Sequence, residues 1–361
     1  MTHPSECSER RSRVASRLDE HQVDALLVSA PSNIRYLSGF TGSNAALLIS
    51  RDSATLFTDS RYTIQAAEQA DCPAIIVSGP LHVAVMKTIA RKRLGRLGVE
   101  KNRILLSTWL EMQERVGERT SLLPLPSFVD NLRMVKSETE MEAIRRAVQT
   151  NSRAYEKALT RIKSSMTEKD LAAEIEFQQR KFGADGPAFE SIVAAGPRSA
   201  LPHARPTSER LGANRLLLMD TGALQSGYCS DMTRVVHLGT PSAKAKRLYK
   251  AVCEAQLAAI DALKPKITAA AVDKAARDVL RRHGLADAFL HSTGHGLGLE
   301  IHEPPRLGRK DKTRLEAGMV ITIEPGAYVE GFGGVRIEDT VLITAGGCEI
   351  LTPTSREFLV V

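Results

Sequence analysis

Five side chains with metal-ligand chemistry recur in two similar settings of this 361-residue chain. Asp220 and Asp231 lie in LLLMDTGALQSGYCSDMTRV, where an apolar run enters Asp220, Gly222 and Gly227 reverse the chain, and a second run leaves through Val235 and Val236. That pattern predicts a β-hairpin. With its turn centred between Gln225 and Ser226, Asp220 faces Asp231, and directly opposed side chains have Cβ atoms roughly 4.5–5.5 Å apart. Two like charges at that range destabilise a hairpin unless something positive sits between them. The stretch MVITIEPGAYVEGFGGVRIEDTVLIT repeats the device: a turn near Gly331 sets Glu324 opposite Glu338. Between the hairpins, HSTGHGLGLEIHE carries His295 flanked by two glycines, and His302 follows seven residues later. Taken singly, an Asp beside Gly is commonly a turn former and a His beside Gly a loop residue. Clustered at the ends of two similar hairpins, four carboxylates and an imidazole form an oxygen-rich set with one nitrogen, suited to two hard or borderline divalent ions.

In the settings MDTG, SDMTR, GHGLG, IEPG and VRIED, these residues resemble the metallopeptidases of the pita-bread fold. That family includes aminopeptidase P (Xaa-Pro aminopeptidase), prolidase (Xaa-Pro dipeptidase) and methionine aminopeptidase. The resemblance covers about 137–361 and implies a dinuclear centre, with Asp220 on one ion, His295 and Glu324 on the other, and Asp231 and Glu338 bridging. It also implies that Glu324 shuttles a proton while binding metal, and that His203 and His302 flank the substrate to stabilise the oxyanion or orient the peptide. Arg336 would restrain the metal carboxylates. Arg306, in HEPPR, resembles a position that in prolidases binds the substrate's free carboxylate. The alternatives are plain ones: His203 as a polar loop residue and Arg306 as a surface charge. Two divalent ions roughly 3.5–4 Å apart can hold a bridging water, bring its pKa from about 15.7 to near neutral, and polarise a scissile carbonyl. Oxygen-rich ligation favours Mn over Zn, with Co also suitable. After SDMTR the family often continues with Thr, where this chain has Val235 and Val236. Cys229 is either a soft ligand near Asp231 or strand filler.

Positioning these residues requires a scaffold, and the chain's periodicity outlines one. A helix over 9–20, a buried strand over 24–30, β-like runs over 44–50 and 53–59, a helix over 60–70, a strand AIIVSG, a helix over 81–93 and a strand RLGVEK alternate as in an α/β domain. No phosphate loop or GxGxxG is present. The segments NIRYLSGFTGSNAALLIS and LFTDSRYTIQA resemble the N-terminal domain of aminopeptidase P, prolidase and creatinase, which methionine aminopeptidases generally lack. Trp109, the one tryptophan, is assigned to packing in a helix. A boundary near 131–137 divides an N-terminal creatinase-like α/β domain, 1–132, from a second domain, 133–361. There Ser137 and Glu140 form a capping box, a helix capped by Thr167 follows, and then come a strand and a Pro-rich loop carrying His203 before the first hairpin. Helices over 243–263 and 269–283 precede His295 and the second hairpin, so the order repeats. The resemblance implies for this half an α+β pita-bread domain, a curved antiparallel sheet with pseudo-twofold halves and metals inside.

Composition bounds the rest. With 43% apolar and 25% charged residues the chain is an ordinary globular one, and no apolar run reaches the ~20 residues of a membrane helix. A polar N-terminus predicts no signal peptide, and five scattered cysteines predict no disulfide framework, so a cytoplasmic setting is expected. The net charge of +7 is spread along the chain with only 4% aromatics, which predicts no specific nucleic-acid partner; ARKRLGR reads as the solvated face and end of a helix. The function expected is metal-dependent removal of the N-terminal residue before proline, with an Xaa-Pro dipeptidase as the alternative and a proline-containing peptide as substrate. A peptide bond before proline lacks the N–H most peptidases recognise, and metal attack on the carbonyl does not need it. Further behind stand a metal-free pita-bread binding protein and a creatinase-like hydrolase. A homodimer is expected from the resemblance.

Overall fold

The computed structural model describes residues 4–126 and 128–361. The chain divides into two compact units between Arg133 and Met134. The first runs α1 (Pro4–Ser16), β1 (Ala25–Val28), α2 (Pro31–Ser38), β2 (Ala45–Ser50), β3 (Ala54–Asp59), α3 (Thr63–Gln69), β4 (Ala74–Val77), α4 (Leu81–Lys92), β5 (Arg96–Glu100), α5 (Leu106–Arg115), β6 (Ser121–Leu125) and α6 (Phe128–Leu132). Its six strands lie in the order β4-β3-β2-β1-β5-β6. The β2–β3 hairpin pairs antiparallel as expected, and β1–β5, β5–β6 and β3–β4 are parallel. Leu27, Leu48, Phe57, Ile89, Leu97 and Val99 form its core, with Trp109 packed against it.

Three local features depart from the sequence reading. The first helix starts near residue 4 and stops at Ser16 rather than spanning 9–20. Pro31, read as the end of a strand, opens α2, where a missing N–H removes nothing a first helical turn uses. Strand β6 escapes the alternation signal because its sequence SLLPL holds a proline; it lies at the sheet edge, where that is tolerated. The N-cap of α2, Ala30, offers no side-chain acceptor. Glu100, at the end of β5, instead holds the chain that enters the helix, accepting the amides of Ser29 (2.7 Å) and Ala30 (3.1 Å) and Asn33 Nδ2 (2.6 Å). Glu100→Ala would leave the Ser29 and Ala30 amides without this acceptor, and a loss of about 2 kcal/mol, read as a lower urea midpoint, is the expected result.

The second unit is built twice over. Its first half comprises α7 (Glu138–Leu159), α8 (Glu168–Lys181), β7 (Gly186–Pro187), β8 (Ile192–Ala195), β9 (Arg215–Thr221), β10 (Ala223–Gln225), β11 (Tyr228–Cys229) and β12 (Met232–Leu238). The second comprises α9 (Ala243–Asp261), α10 (Ala269–Arg282), β13 (Gly294–Gly296), β14 (Glu303–Leu307), β15 (Val320–Ile323), β16 (Gly326–Val329), β17 (Gly333–Arg336), β18 (Asp339–Thr344) and β19 (Gly347–Ile350). Every ladder here is antiparallel, in the orders β12-β9-β8, β11-β10-β7, β14-β13-β15-β18-β19 and β16-β17.

Each half opens with a Ser-capped helix, Ser137 with its full capping box and Ser242, followed by a Thr-capped one, Thr167 and Thr268. The two threonines even share a device, since Thr167 bridges Arg210 and Thr268 bridges Arg314 just ahead of the respective hairpins. Alternation along β9 divides the core. Leu217 and Met219 pack with Tyr155, Leu171 and Ile175 of α7 and α8, whereas Leu216 and Leu218 join α9, α10 and the second hairpin. Asp220 continues the second of these rows.

Candidate metal centre

The first hairpin turns one residue later than its sequence suggested. Ser226 and Gly227 occupy the two central turn positions with φ of 51° and 75°, the pair of positive values a type I′ turn requires. Gly227 adopts that conformation freely, so the turn centres on it, and Leu224 pairs with Cys229. The ladder therefore sets Asp220 opposite Thr233, not opposite Asp231 as expected. A shift of two in pairing leaves every side chain on its original face, so Asp220 and Asp231 become diagonal neighbours on one face. In this register Asp231 lies across from Gly222, where a Cβ would come 2.2 Å from the Ser230 carbonyl oxygen.

The second hairpin keeps its expected register. Ile323 pairs with Asp339 and Gly326 with Arg336, so Glu324 and Glu338 stand opposite each other between the two ladders. The hairpins are stitched together at the site: Glu338 N–H donates to the Thr233 carbonyl (3.1 Å), and Thr340 Oγ1 to the Asp231 carbonyl (2.9 Å). His295 arrives on β13, which fits beneath β15 because Gly294 has no side chain; a Cβ there would lie 1.9 Å from the Thr322 carbonyl oxygen. The ring's Nδ1–H donates to the Gly296 carbonyl (3.0 Å), which leaves Nε2 with its lone pair aimed at Glu324 Oε1 (3.4 Å) and Asp231 Oδ2 (3.6 Å).

Ligand atoms of Asp231, His295 and Glu338 all lie within 4.8 Å of one another. Glu324 joins them through His295, and Asp220 through Arg336, whose Nη2 donates to Asp220 Oδ2 at 2.5 Å. The same guanidinium reaches Thr233 Oγ1 (3.0 Å), which donates in turn to Glu338 Oε2 (2.6 Å). Crowding shows in the protonation energetics. Burial, then Glu338, Asp220 and Glu324, drives the Asp231 carboxyl well above its ordinary range. Burial, then Glu324 and Asp220, does the same to Glu338, and burial foremost raises Glu324 to about 7. Burial opposes the charge of Arg336, but the surrounding Tyr328, Asp220, Glu324 and Glu338 outweigh it.

The donor set fits divalent cations. Asp220 Oδ1 and Asp231 Oδ1 are buried without a hydrogen-bond partner, a costly condition that a cation would relieve. His295, pushed down mainly by burial, presents a neutral nitrogen, the form that ligates. Four oxygens-bearing acids and one imidazole match hard or borderline ions.

The remaining expected residues surround this cluster. His302 sets its ring against His295 at 4.4 Å, edge to face. His203 is exposed in the loop after β8, near enough for its charge to act on Glu324, His291 and His302. Arg306 stands across β14 from His295 and donates Nε–H to Ser292 Oγ (3.3 Å) at the wall of a cavity of about 650 Å³ that also includes His291, Phe289 and Leu290. Cys229 instead joins an apolar cluster with Ile144, Val148 and Leu297. Sequence reading passed over His291 and Tyr328. Arg336 donates to the Tyr328 hydroxyl (2.6 Å), that hydroxyl donates to His291 Nε2 (2.8 Å), and His291 Nδ1–H reaches the Ser292 carbonyl (2.8 Å). Burial, with Arg336 next, pushes His291 down to about 4, so it stays neutral. The signal was present in the spacing: His291 opens the HSTGHG segment, four residues before His295, and Tyr328 stands four after Glu324.

Comparison with known proteins agrees with this layout. Residues 142–345 match the family model described as Metallopeptidase family M24, and residues 10–135 match the Creatinase/Prolidase N-terminal domain. An Xaa-Pro dipeptidase of Pyrococcus furiosus is 36% identical across 97% of this chain and 99% of its own length. Among solved structures, the Xaa-Pro dipeptidase from Bacillus anthracis superposes with a TM-score of 0.95 at 36% identity, covering 98% of this chain and 100% of that one. The X-Pro aminopeptidase from Thermotoga maritima gives 0.89 at 37% identity, with coverage of 98% and 100%. With a creatinase-type domain ahead of two antiparallel halves whose hairpins carry the acidic cluster, this chain belongs to metallopeptidase family M24 and has its pita-bread fold.

Proposed function

We propose that the protein is an Xaa-Pro dipeptidase of the dinuclear type, with Asp220, Asp231, His295, Glu324 and Glu338 holding two divalent ions, Mn first and Co or Zn as substitutes. The observation that carries the reading is the convergence of Asp231, His295 and Glu338 to within 4.8 Å, with Asp220 and Glu324 beside them and two buried carboxylate oxygens unpartnered. The sequence alone leaned to the aminopeptidase. The weight moves to the dipeptidase because relatives at 36% identity over nearly the whole chain carry that name, in Pyrococcus furiosus and Bacillus anthracis alike. Arg306 agrees: at the cavity wall, opposite His295 and in no ion pair among the described residues, it suits the free carboxylate of a C-terminal proline.

Bound ions would activate a water and polarise the carbonyl before proline. The chain's own groups do the rest. Glu324 would accept the attacking water's proton as the new C–O bond forms and return it to the proline nitrogen as the C–N bond breaks. His302, its ring against His295, and His203 are assigned to the carbonyl oxygen as it gains charge. Arg336 keeps Asp220 and, through Thr233, Glu338 in place, and its Tyr328–His291 chain fixes its orientation. Tyr328→Phe breaks that chain without touching a carboxylate, so metal content should hold while kcat/KM falls about tenfold, the equivalent of one lost hydrogen bond.

Hydrolysis of Gly-Pro against Gly-Pro-Xaa, with and without Mn, tests class, metal and subtype together. Mn-dependent cleavage confined to Gly-Pro is the expected result. Equal or better cleavage of the tripeptide would return the reading to the aminopeptidase, and failure on both would end it. A homodimer belongs to the same reading, and light scattering should give the mass of two chains.

A further inference from the structure

Behind the acidic cluster, Arg234 uses all of its hydrogen-bonding capacity on one neighbourhood. This residue, in the SDMTR segment, is 2% exposed. Its Nη1 donates to the Glu338 carbonyl (2.6 Å) and the Thr233 carbonyl (3.0 Å), its Nη2 to Asp339 Oδ1 (2.6 Å) and the Thr354 carbonyl (2.7 Å), and its Nε to the Ser355 carbonyl (2.9 Å). Five N–H groups thus make five bonds, the most a guanidinium can form. Asp339 steadies it from the far side, its other oxygen accepting Gln256 Nε2 and Arg356 Nε, each at 2.5 Å.

Those bonds tie together two parts of the chain at the level of the site. One is the backbone of Thr233 and Glu338, which carries or contacts the acidic cluster. The other is the segment over 352–361, docked along the first hairpin: His237 and Val361 exchange backbone bonds of 2.9 Å with partners in that pairing, Tyr249 donates to the Arg356 carbonyl (2.9 Å), and the Tyr249 and Phe358 rings stack at 4.2 Å. Burying a guanidinium and a carboxylate this deeply is costly, and apolar residues of similar volume would commonly serve stability as well. A purely structural role therefore leaves the arrangement under-explained, whereas a need to hold the Glu338 carbonyl at a set distance from Thr233 accounts for it.

We propose that Arg234, aligned by Asp339, is a positioning residue through which the 352–361 segment braces Glu338 and so governs retention of the metal ions. The inference rests on the metal-site reading above. It is tested by measuring Mn affinity through chelator competition for wild type, Arg234→Lys and Arg356→Ala, together with the thermal midpoint of each metal-free protein and kcat and KM on Gly-Pro at limiting and excess Mn. Lysine keeps the charge but has three donors in the wrong geometry, so Mn affinity should fall about 10- to 100-fold, with KM unchanged and kcat recovered by excess Mn. Arg356→Ala leaves Arg234 in place and should weaken Mn binding several-fold. Unchanged affinity in a folded Arg234→Lys overturns the proposal, as does a loss that tracks the metal-free midpoint and is not recovered by excess Mn. If Arg234→Lys does not fold, Arg356→Ala decides: unchanged Mn affinity overturns it. Wild type that binds no divalent ion would sink the site reading itself, a result distinct from the others.

Discussion

Asp231→Asn is expected to abolish tight metal binding and lower kcat/KM by at least about 10³-fold, while making the metal-free protein more stable. The first effect follows from what the ions supply, a water whose pKa drops from about 15.7 to about 7, which no side chain here can replace. Asp231 presents a carboxylate oxygen within 4.8 Å of ligand atoms of both His295 and Glu338, and its Oδ1 has no partner in the protein. The second effect has the opposite sign because the carboxyl is held well above its ordinary range by burial and then by Glu338, Asp220 and Glu324. Asn has the same shape and no charge to desolvate, so a gain of about 1–3 kcal/mol is expected, a rise of several degrees for a domain of this size. Opposite signs separate this outcome from simple misfolding, which would lower activity and midpoint together. Retained Mn-dependent hydrolysis by the variant would remove Asp231 from the site.

Side-chain chemistry was easier to read from the sequence than strand register. Both hairpins, the capping box at Ser137 and the cap at Thr167 are legible because each rests on residues within a few positions of one another. The Asp220–Asp231 pairing failed on one turn residue: the turn falls on Ser226–Gly227 rather than Gln225–Ser226, and period-two alternation cannot see the resulting shift of two. The acids converged all the same, since that shift preserves the face. Long-range partners left no local trace. Nothing near Ala30 indicates that Glu100 accepts its amide, and nothing around Arg234 indicates that its bonds end at Thr354 and Ser355. His291 and Tyr328 carry no motif of their own; their role emerges only where β16 and the segment before β13 meet.

Metal-free and Mn-loaded protein should part company as pH rises above about 6.5. A carboxyl whose pKa is raised in the folded state holds its proton more tightly there than in the unfolded chain, so its contribution is full below the unfolded value, about 4, and is lost as pH climbs through the folded value. Glu324, raised to about 7 chiefly by burial, and Asp231 and Glu338, driven well above their ordinary range by burial and then by neighbouring carboxylates, all act in this direction. Buried histidines act oppositely. His291, lowered to about 4, and His295 and His302, lowered chiefly by burial, cost stability as pH falls below about 6.5, where the unfolded imidazoles protonate and the folded ones resist. Between about pH 4.5 and 6.5 the two sets of slopes offset. Above that window the histidines no longer contribute, and each titrating acid removes up to about 1.4 kcal/mol per pH unit from the metal-free protein. Bound ions hold the same carboxylates ionised, so the loaded protein gains nothing from protons and loses nothing with them. Urea unfolding at pH 6, 6.5 and 7, in chelator and in Mn, should give a stability gap that widens toward the folded value of Glu324, driven by decline of the metal-free form. Two parallel profiles would mean that these acids do not share a protonated, cation-free state, and the electrostatic case for the centre would go with it.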